Sequence, residues 1–305
     1  MKNFYKIIII LITFLLFAGC MESYQETVGS KENSTYQKTS TGKATEDINE
    51  ANETKKANET KNEARENNNE ADNTKNETDK IIIEEKSTLE GLTICIDPGH
   101  GKLTKKVKKT EPVAPGSQIM KAATAGGTVG IITKITEESL NLSVSLKLKK
   151  ALAEKGAKIV MVRENNVCNM TNVERTEFWN SSGADLTIRI HANGSIDKNV
   201  AGVLMMVPGN KYIKDKDLLE KSALAGKYIM EAVLKNTKAK SKGTVKSTDL
   251  TGFNWSQIPV VLLEMGFMTN PDEDRILNTD DYQNKIVSGI VEGVENYHKS
   301  VKSAE

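Results

Sequence analysis

The amino-acid sequence predicts an α/β fold, a three-layer α/β/α sandwich built around a mostly parallel, twisted sheet of about six strands. From residue 92 onwards, short apolar runs of strand length alternate with longer segments in which apolar residues recur at helical spacing. Such alternation is typical of parallel strands joined by crossover helices, which then cover both faces of the sheet. Ligands of such sheets bind at the carboxyl ends of the strands.

Residues 1–20 have the order of a secretory signal: two lysines, an apolar run over residues 7–17 and a small-residue ending, Ala18-Gly19-Cys20. The apolar run is shorter than the about 20 residues that a membrane-spanning helix needs. Its ending resembles a bacterial lipoprotein signal, which implies that Cys20 is lipidated and becomes the new N-terminus. An uncleaved N-terminal anchor is the alternative. In both cases we expect the protein to work outside the cytoplasm, at a membrane surface.

Residues 21–86 consist largely of asparagine, glutamate, lysine and threonine, with few side chains that a core could bury. This composition predicts a disordered tether. The segment carries 16 acidic and 10 basic residues, and this acidic excess favours an extended chain. A flexible coil of this length averages roughly 45 Å between its ends. A helix rich in glutamate and lysine is the alternative, but the many asparagines and threonines disfavour it.

Residues 87–305 have a normal size for one α/β domain with a single core. They carry about five more basic than acidic residues, which suits an anionic partner surface but is far from the character of a nucleic-acid-binding domain. We therefore expect no nucleic-acid partner. The two cysteines of this domain are Cys95, in an apolar run, and Cys168, in a polar loop. We do not expect a disulfide between them.

The elements of the domain follow one another along the chain. Strands are predicted at residues 92–97, 157–163, 184–193, 201–208 and 259–267, each an apolar run. Helices are predicted at residues 137–156, 172–183, 215–235 and 279–300, and the first of them repeats apolar residues every four positions before it ends at a glycine. The connection over residues 102–136 is unusually long. Loops of this length are often functional, and we expect this one to border the binding cleft.

Three of the predicted strands carry residues that can bind a metal. His100 follows the first strand in an Asp-Pro-Gly-His turn, the third strand ends at His191-Ala-Asn193, and Glu264 lies in the fifth. A single histidine at a strand end is more often a core residue, but here two of the chain's three histidines share one predicted sheet edge. Two histidines and a carboxylate, with one open coordination position, are typical of zinc hydrolases. The pattern therefore predicts a zinc site.

A zinc hydrolase also needs a carboxylate that is not on the metal, which takes a proton from water and passes it to the leaving amine. The candidates are Glu137 and Glu138, at the start of the first long helix, and Glu264. Acidic residues in the first turn of a helix are also favoured by the helix dipole alone. Glu264 differs because it lies among valines, leucines and a methionine, where a charge is costly unless a cation lies beside it.

Six motifs, in this order, resemble the zinc-dependent N-acetylmuramoyl-L-alanine amidases of bacterial cell wall turnover. They are IDPGHG, TEESLNLSVSLKLKKAL, VMVRE, GADLTIRIHANGS, AGVLMMV and PVVLLEMGFMTNPDE, and the resemblance covers residues 91–298. It implies that His100, Glu137 and His191 bind one zinc ion. It also implies that Glu264 is the catalytic acid/base. The position of Glu137 is counted back from the asparagine of the second motif, and Glu138 is the fallback.

The activity that this resemblance implies is hydrolysis of the amide between the lactyl group of N-acetylmuramic acid and L-alanine in the stem peptide of peptidoglycan. The expected protein is therefore an exported amidase that faces the cell wall and is held at the membrane through a lipid on Cys20. A protein activator would leave no motif in the sequence, so such a partner stays open.

Arg189 departs from the family, which commonly has a small polar residue there. It lies two residues before His191 and so on the same face of its strand. A contact to the metal ligands or to a substrate carboxylate is one interpretation, and a structural ion pair is the other. Asn193, at the end of the same strand, is a second candidate for substrate binding.

Three other functions compete with this interpretation. A wall-binding lipoprotein without activity would be expected to lack one of the four site residues, and here all four positions are filled. A zinc carboxypeptidase usually has a histidine and a glutamate three apart, but the third residue after His100 is Leu103. A cysteine hydrolase would have to use Cys95, which lies inside a strand with little access to substrate.

Overall fold

Six strands form the central sheet in a computed structural model, which describes residues 88–303. They are β1 (Thr93–Pro98), β4 (Lys158–Met161), β5 (Leu186–Asn193), β6 (Val203–Pro208), β7 (Ser241–Ser247) and β8 (Val260–Phe267). Their order across the sheet is β4-β1-β5-β8-β6-β7. All neighbouring strands are parallel except β6 and β8, which are antiparallel. The predicted fold class, a mostly parallel sheet of about six strands, is confirmed.

Helices cover both faces of this sheet. They are α1 (Glu137–Glu154), α2 (Asn172–Ser181), α3 (Lys216–Thr237), α4 (Thr251–Asn254), α5 (Pro271–Leu277) and α6 (Asp280–Lys302). Alternate strand residues enter different clusters, since Ile94 and Ile96 of β1 join the large core with α1, α3 and α6, whereas Cys95 packs with Trp179 of α2. A third cluster includes Phe253 of α4. The arrangement is the predicted three layers.

The large core depends on a close approach of α3 and α6. A Cβ atom added to Gly289 would lie 2.6 Å from the Cα of Val233, and one added to Gly293 would lie 2.4 Å from the Cα of Ile229. Only glycine allows the two helices to pack at this distance. This rigid layer supports the strands whose far ends carry the predicted site.

The long connection over residues 102–136 contains a two-stranded antiparallel hairpin, β2 (Thr110–Pro112) and β3 (Met120–Ala122), and then runs back to the start of α1. Its last part is fixed by Asp274 of α5, whose carboxylate accepts hydrogen bonds from the backbone N–H groups of Ile132 and Thr133 at 2.6 and 2.8 Å. The loop therefore reaches α1 in a defined conformation.

The predicted signal over residues 1–20, with Cys20, and the tether over residues 21–86 lie outside the described residues. Within residues 88–303, no helix is both long and apolar enough to cross a membrane. Within the described part of the chain, Cys95 and Cys168 are both buried and form no disulfide.

Candidate active site

The three residues expected to bind the metal lie together at the carboxyl edge of the sheet. His100 follows β1, Glu137 is the first residue of α1, and His191 belongs to β5. One potential ligand atom from each lies within 4.8 Å of the others. The Oε1 atom of Glu137 is 3.1 Å from His100 Nε2 and 3.2 Å from His191 Nδ1. The fold thus brings together three groups that are 91 residues apart at their extremes in the chain.

His100 is held in an unusual backbone conformation between two glycines. Its φ angle is 59°, in the left-handed region that non-glycine residues rarely occupy. A Cβ on Gly99 would lie 2.4 Å from Cε1 of the His191 ring, so only glycine lets the turn pass this close to the second histidine. The N–H of Gly99 donates to the carbonyl of Ile190 at 2.8 Å, which continues the β1–β5 pairing into the turn.

The His100 ring is oriented by the long connection. Its Nδ1 donates to the carbonyl oxygen of Ala125 at 2.9 Å, because a carbonyl can only accept. This leaves Nε2 as the nitrogen that faces Glu137. A histidine that ligates a metal typically donates its other ring N–H in this way, which fixes the tautomer and the ring plane. The loop that contains Ala125 therefore borders the site, as expected from its length.

Glu137 is buried and its carboxylate is fully engaged. Oε1 accepts hydrogen bonds from the Ala192 N–H at 3.1 Å and from the Asn141 side chain at 3.2 Å, and Oε2 accepts from the Thr128 N–H at 2.9 Å. Burial opposes ionisation, but hydrogen bonds and charge from the two histidines hold the pKa of Glu137 well below its usual range. Glu138, the fallback, lies outside this cluster, and its backbone carbonyl accepts from Arg163.

Glu264 lies on β8 directly opposite His191 in the β5–β8 register. Its Oε2 atom is buried and has no hydrogen-bond partner among residues 88–303. Burial, and secondly the charge of Glu137, raise the pKa of Glu264 to about 8. A carboxyl group with such a pKa can both accept and release a proton near neutral pH.

The chemistry of this donor set fits a divalent transition-metal ion. Two imidazole nitrogens and a carboxylate oxygen are common zinc ligands. Burial lowers the pKa of His191 to about 4, so this ring is neutral at neutral pH, the form that binds metals. Its buried Nε2 has no hydrogen-bond partner among the described residues. A buried ring nitrogen that is left without a protein partner leaves His191 room to bind an ion or a water molecule.

Arg189 makes the structural ion pair that was one of its two interpretations. Its Nε donates to Asp97 Oδ2 at 2.9 Å, and its guanidinium lies over the ring of Trp179 at 5.6 Å from the centroid. Asn193 ends β5 and accepts the Gly194 N–H on its side-chain oxygen at 2.8 Å. Its role in substrate binding stays a prediction.

Two buried arginines beside the site, Arg163 and Arg175, were not predicted from the sequence. Arg175 pairs with the buried carboxylate of Asp97 at 2.6 Å, on the oxygen that Arg189 does not use. Against the effect of burial, Arg175 and Arg189 hold the pKa of Asp97 at about 2. An arginine at a strand end, or in an amphipathic helix, is usually a solvated charge, so the sequence offered no signal beyond the VMVRE motif itself.

Cys95 cannot act as a nucleophile in this arrangement. Its side chain is fully buried in β1, and burial together with the charge of Asp97 raises the pKa of the thiol far above its usual range. Since the thiolate is the reactive form, the cysteine hydrolase interpretation has no support in the structure.

Comparison with known proteins agrees with the geometry. The family model described as N-acetylmuramoyl-L-alanine amidase matches residues 94–296. The chain is 29% identical over 228 residues to the germination-specific N-acetylmuramoyl-L-alanine amidase of Bacillus subtilis, an alignment that covers 68% of this chain and 81% of the relative.

Two solved structures are similar in fold. The Ami1 amidase of Mycobacterium smegmatis has a TM-score of 0.60 at 23% identity, over 70% of this chain and all of that one. The CwlD amidase of Clostridioides difficile, solved in complex with the GerS lipoprotein, has a TM-score of 0.54 at 23% identity, over 69% of this chain and 100% of that one.

Proposed function

Because the chain belongs to the N-acetylmuramoyl-L-alanine amidase family, we propose that it hydrolyses peptidoglycan with a zinc ion held by His100, Glu137 and His191. The bond cleaved is the amide between N-acetylmuramic acid and L-alanine of the stem peptide. The observation that carries the zinc proposal is the convergence of three ligand atoms within 4.8 Å, beside a histidine nitrogen that has no other partner in the described part of the chain.

A zinc ion at these ligands would supply Lewis-acid chemistry, polarising the scissile carbonyl and lowering the pKa of the attacking water. The residues around it prepare the site. The Ala125 carbonyl holds His100 with Nε2 directed inwards, and the hydrogen bonds from Ala192, Asn141 and Thr128 fix the Glu137 carboxylate. Ligands that are fixed before the ion arrives lose little freedom when it binds.

We assign the proton transfers to Glu264. In its ionised form, the carboxylate takes a proton from the water as the oxygen forms its bond to the carbonyl carbon. The protonated carboxyl then gives this proton to the amide nitrogen as the C–N bond breaks, which releases the stem peptide with a free amine on its L-alanine. In the metal-free protein, burial and the charge of Glu137 raise the pKa of Glu264, so this carboxylate takes up a proton more readily than an exposed glutamate does.

The substrate of a cell wall amidase lies outside the cytoplasm, and so does the protein's place of action. We propose further that residues 1–20 direct export, that Cys20 carries a lipid, and that residues 21–86 are a tether that lets the domain reach the wall from the membrane. Incorporation of a labelled fatty acid, with Cys20→Ala as the control, tests the anchor. The complex of CwlD with a lipoprotein supports, by analogy, a protein partner for this chain as well.

The function is tested with the full-length chain, zinc and a defined muramyl-peptide, with the products analysed by mass spectrometry. Free glycan and an intact stem peptide, abolished by a chelator and restored by zinc, are the expected result. Loss of only a terminal amino acid would mean that the protein is a carboxypeptidase. An intact substrate in the presence of bound zinc would favour a wall-binding protein, unless activity appears when a partner protein is added.

A further inference from the structure

Arg163 is a buried arginine with an unusual set of partners. It lies two residues beyond β4 with 5% of its surface exposed, and no carboxylate of residues 88–303 lies within ion-pair distance of it. Its donors go to backbone carbonyls instead. Nε donates to Pro98 at 2.9 Å, Nη2 to Gly99 and Glu138 at 2.8 Å each, and Nη1 to Asn165 at 2.9 Å.

A buried cation without an ion pair is costly to keep, and burial lowers the pKa of Arg163 to about 10. The group is still charged at neutral pH. Side chains of this kind are rare in protein interiors and are expected where function demands them.

The carbonyls that Arg163 binds belong to the two segments that carry metal ligands. Pro98 and Gly99 directly precede His100, and Glu138 directly follows Glu137. One rigid, planar group therefore spans from the β1 turn to the first turn of α1. Lysine has a single nitrogen and cannot hold several carbonyls in a fixed geometry in this way.

We propose that Arg163 is a positioning residue that sets the separation between His100 and Glu137 before the metal binds. This inference rests on the proposed zinc site. Arg175 supports the same turn from the other side, because it donates to the carbonyls of Pro98 and His100 while it pairs with Asp97. All three consecutive carbonyls of residues 98–100 are thus bound by arginine, which keeps His100 in its left-handed conformation.

The test compares Arg163→Lys with Arg189→Lys in the full-length chain. Arg189 is a matched control, since it is 6% exposed and pairs with Asp97 but has no hydrogen bond to the carbonyls of residues 98–100. Zinc affinity is measured by chelator competition, and folding by thermal unfolding of the metal-free proteins. We expect Arg163→Lys to fold and to bind zinc about 10- to 100-fold more weakly, as is typical when a residue that orients metal ligands is replaced. Arg189→Lys should keep an affinity close to that of the wild type.

A spectroscopic measurement separates positioning from a general loss of stability. With Co²⁺ in place of zinc, the visible absorption reports the geometry of the donor set, and we expect an altered spectrum in Arg163→Lys and an unaltered one in Arg189→Lys. Arg163→Gln is the second variant. It removes the buried charge and keeps one donor group, so it should fold even if the lysine variant does not, and it should also bind zinc weakly.

Three results would overturn the proposal. Wild-type zinc affinity in either Arg163 variant would show that the turn needs no such support. An equal loss of affinity in Arg189→Lys, or failure of both Arg163 variants to fold, would show a role in the fold alone. A wild-type protein that binds no zinc would instead overturn the metal site itself, and the positioning role with it.

Discussion

Replacing Glu264 with glutamine should make the metal-free protein more stable while it abolishes most of the activity. Glu264 Oε2 is buried without a hydrogen-bond partner among the described residues. Burial and the nearby charge of Glu137 raise the pKa of this carboxyl from 4.5 to about 8. The folded protein therefore holds this proton more tightly than the unfolded chain does, and the free energy of unfolding depends on pH through this group.

The size of the effect follows from the two pKa values. Below pH 4.5 the carboxyl is protonated in both states, so it has no effect on stability. Between pH 4.5 and about 8 it is ionised only in the unfolded chain, so the folded state loses about 1.4 kcal/mol for each pH unit. At pH 7 this amounts to roughly 3 kcal/mol. Glutamine cannot ionise, so Glu264→Gln should remove this penalty and raise the Tm of the metal-free protein by about 6–12 °C.

The assay is thermal and urea unfolding of the chelator-treated proteins at pH 4.5 and pH 7. The variant and the wild type should match at pH 4.5 and differ at pH 7. An exposed glutamate replaced in the same way, Glu154→Gln, should give no such difference at either pH. With zinc present, Glu264→Gln should bind the ion normally and lose about 10²- to 10⁴-fold in kcat, the usual contribution of a general acid/base.

These assays test the raised pKa of Glu264, its position off the metal and its role in proton transfer separately. Equal stability of variant and wild type at pH 7 would refute the raised pKa. Loss of zinc affinity would make Glu264 a metal ligand, and a kcat close to that of the wild type would remove Glu264 from the proton transfers.

Three further predictions concern the surroundings of the site. Gly99→Ala would place a Cβ 2.4 Å from the His191 ring, so we expect zinc affinity, measured by chelator competition, to fall by about tenfold or more; an unchanged affinity would show that the turn can move aside. The pKa of Asp97 is about 2, so the wild type should lose roughly 2 kcal/mol of stability in urea unfolding as the pH falls from about 4 to 2. Asp97→Asn should flatten this acid dependence while lowering stability at neutral pH, and a slope like that of the wild type would contradict the assignment. Cys95→Ala should keep its amidase activity, and Cys95 should not react with thiol reagents in the folded protein; inactivation by the substitution would revive the cysteine mechanism.

The hydrophobic pattern predicted every strand of the central sheet that is apolar and missed the one that is polar. All five predicted strands are present: β1, β5, β6 and β8 are largely buried, and β4, at one edge of the sheet, is only partly buried but is apolar over its last three residues. The sixth, β7, has the sequence SKGTVKS and is exposed over its first six residues, since it forms an edge of the sheet. Apolar residues alternate or cluster only where a strand is buried, so an exposed polar strand such as β7 shows no hydrophobic pattern in the sequence. The antiparallel pairing of β6 with β8 could not be predicted either, because a hydrophobic pattern carries no information on the direction of a strand.

The positions of Glu137 and Glu138 in the helix do not by themselves decide which of the two binds the metal. Both lie in the first turn of α1, where the helix dipole favours any acidic residue. One residue along a helix turns a side chain by about 100°, so only one of the two can face the histidines. The structure brings Glu137 into the cluster. The family motif implied Glu137, but the position in the helix alone did not distinguish it from Glu138. Donors from Thr128, Asn141 and Ala192, two of which lie outside α1, fix its carboxylate in the cluster.

Several unfavourable features meet at this edge of the sheet. His100 has a left-handed backbone, and among residues 88–303 Arg163 is a buried cation without an ion pair and Glu264 has a buried oxygen without a hydrogen-bond partner. Each lowers the stability of the metal-free protein, and the large core between the sheet and α1, α3 and α6 offsets them. A zinc ion bound only by the folded arrangement would add stability, about 4 kcal/mol at a free concentration 1,000-fold above its Kd. Zinc should therefore raise the Tm most in the wild type and least in variants that displace a ligand.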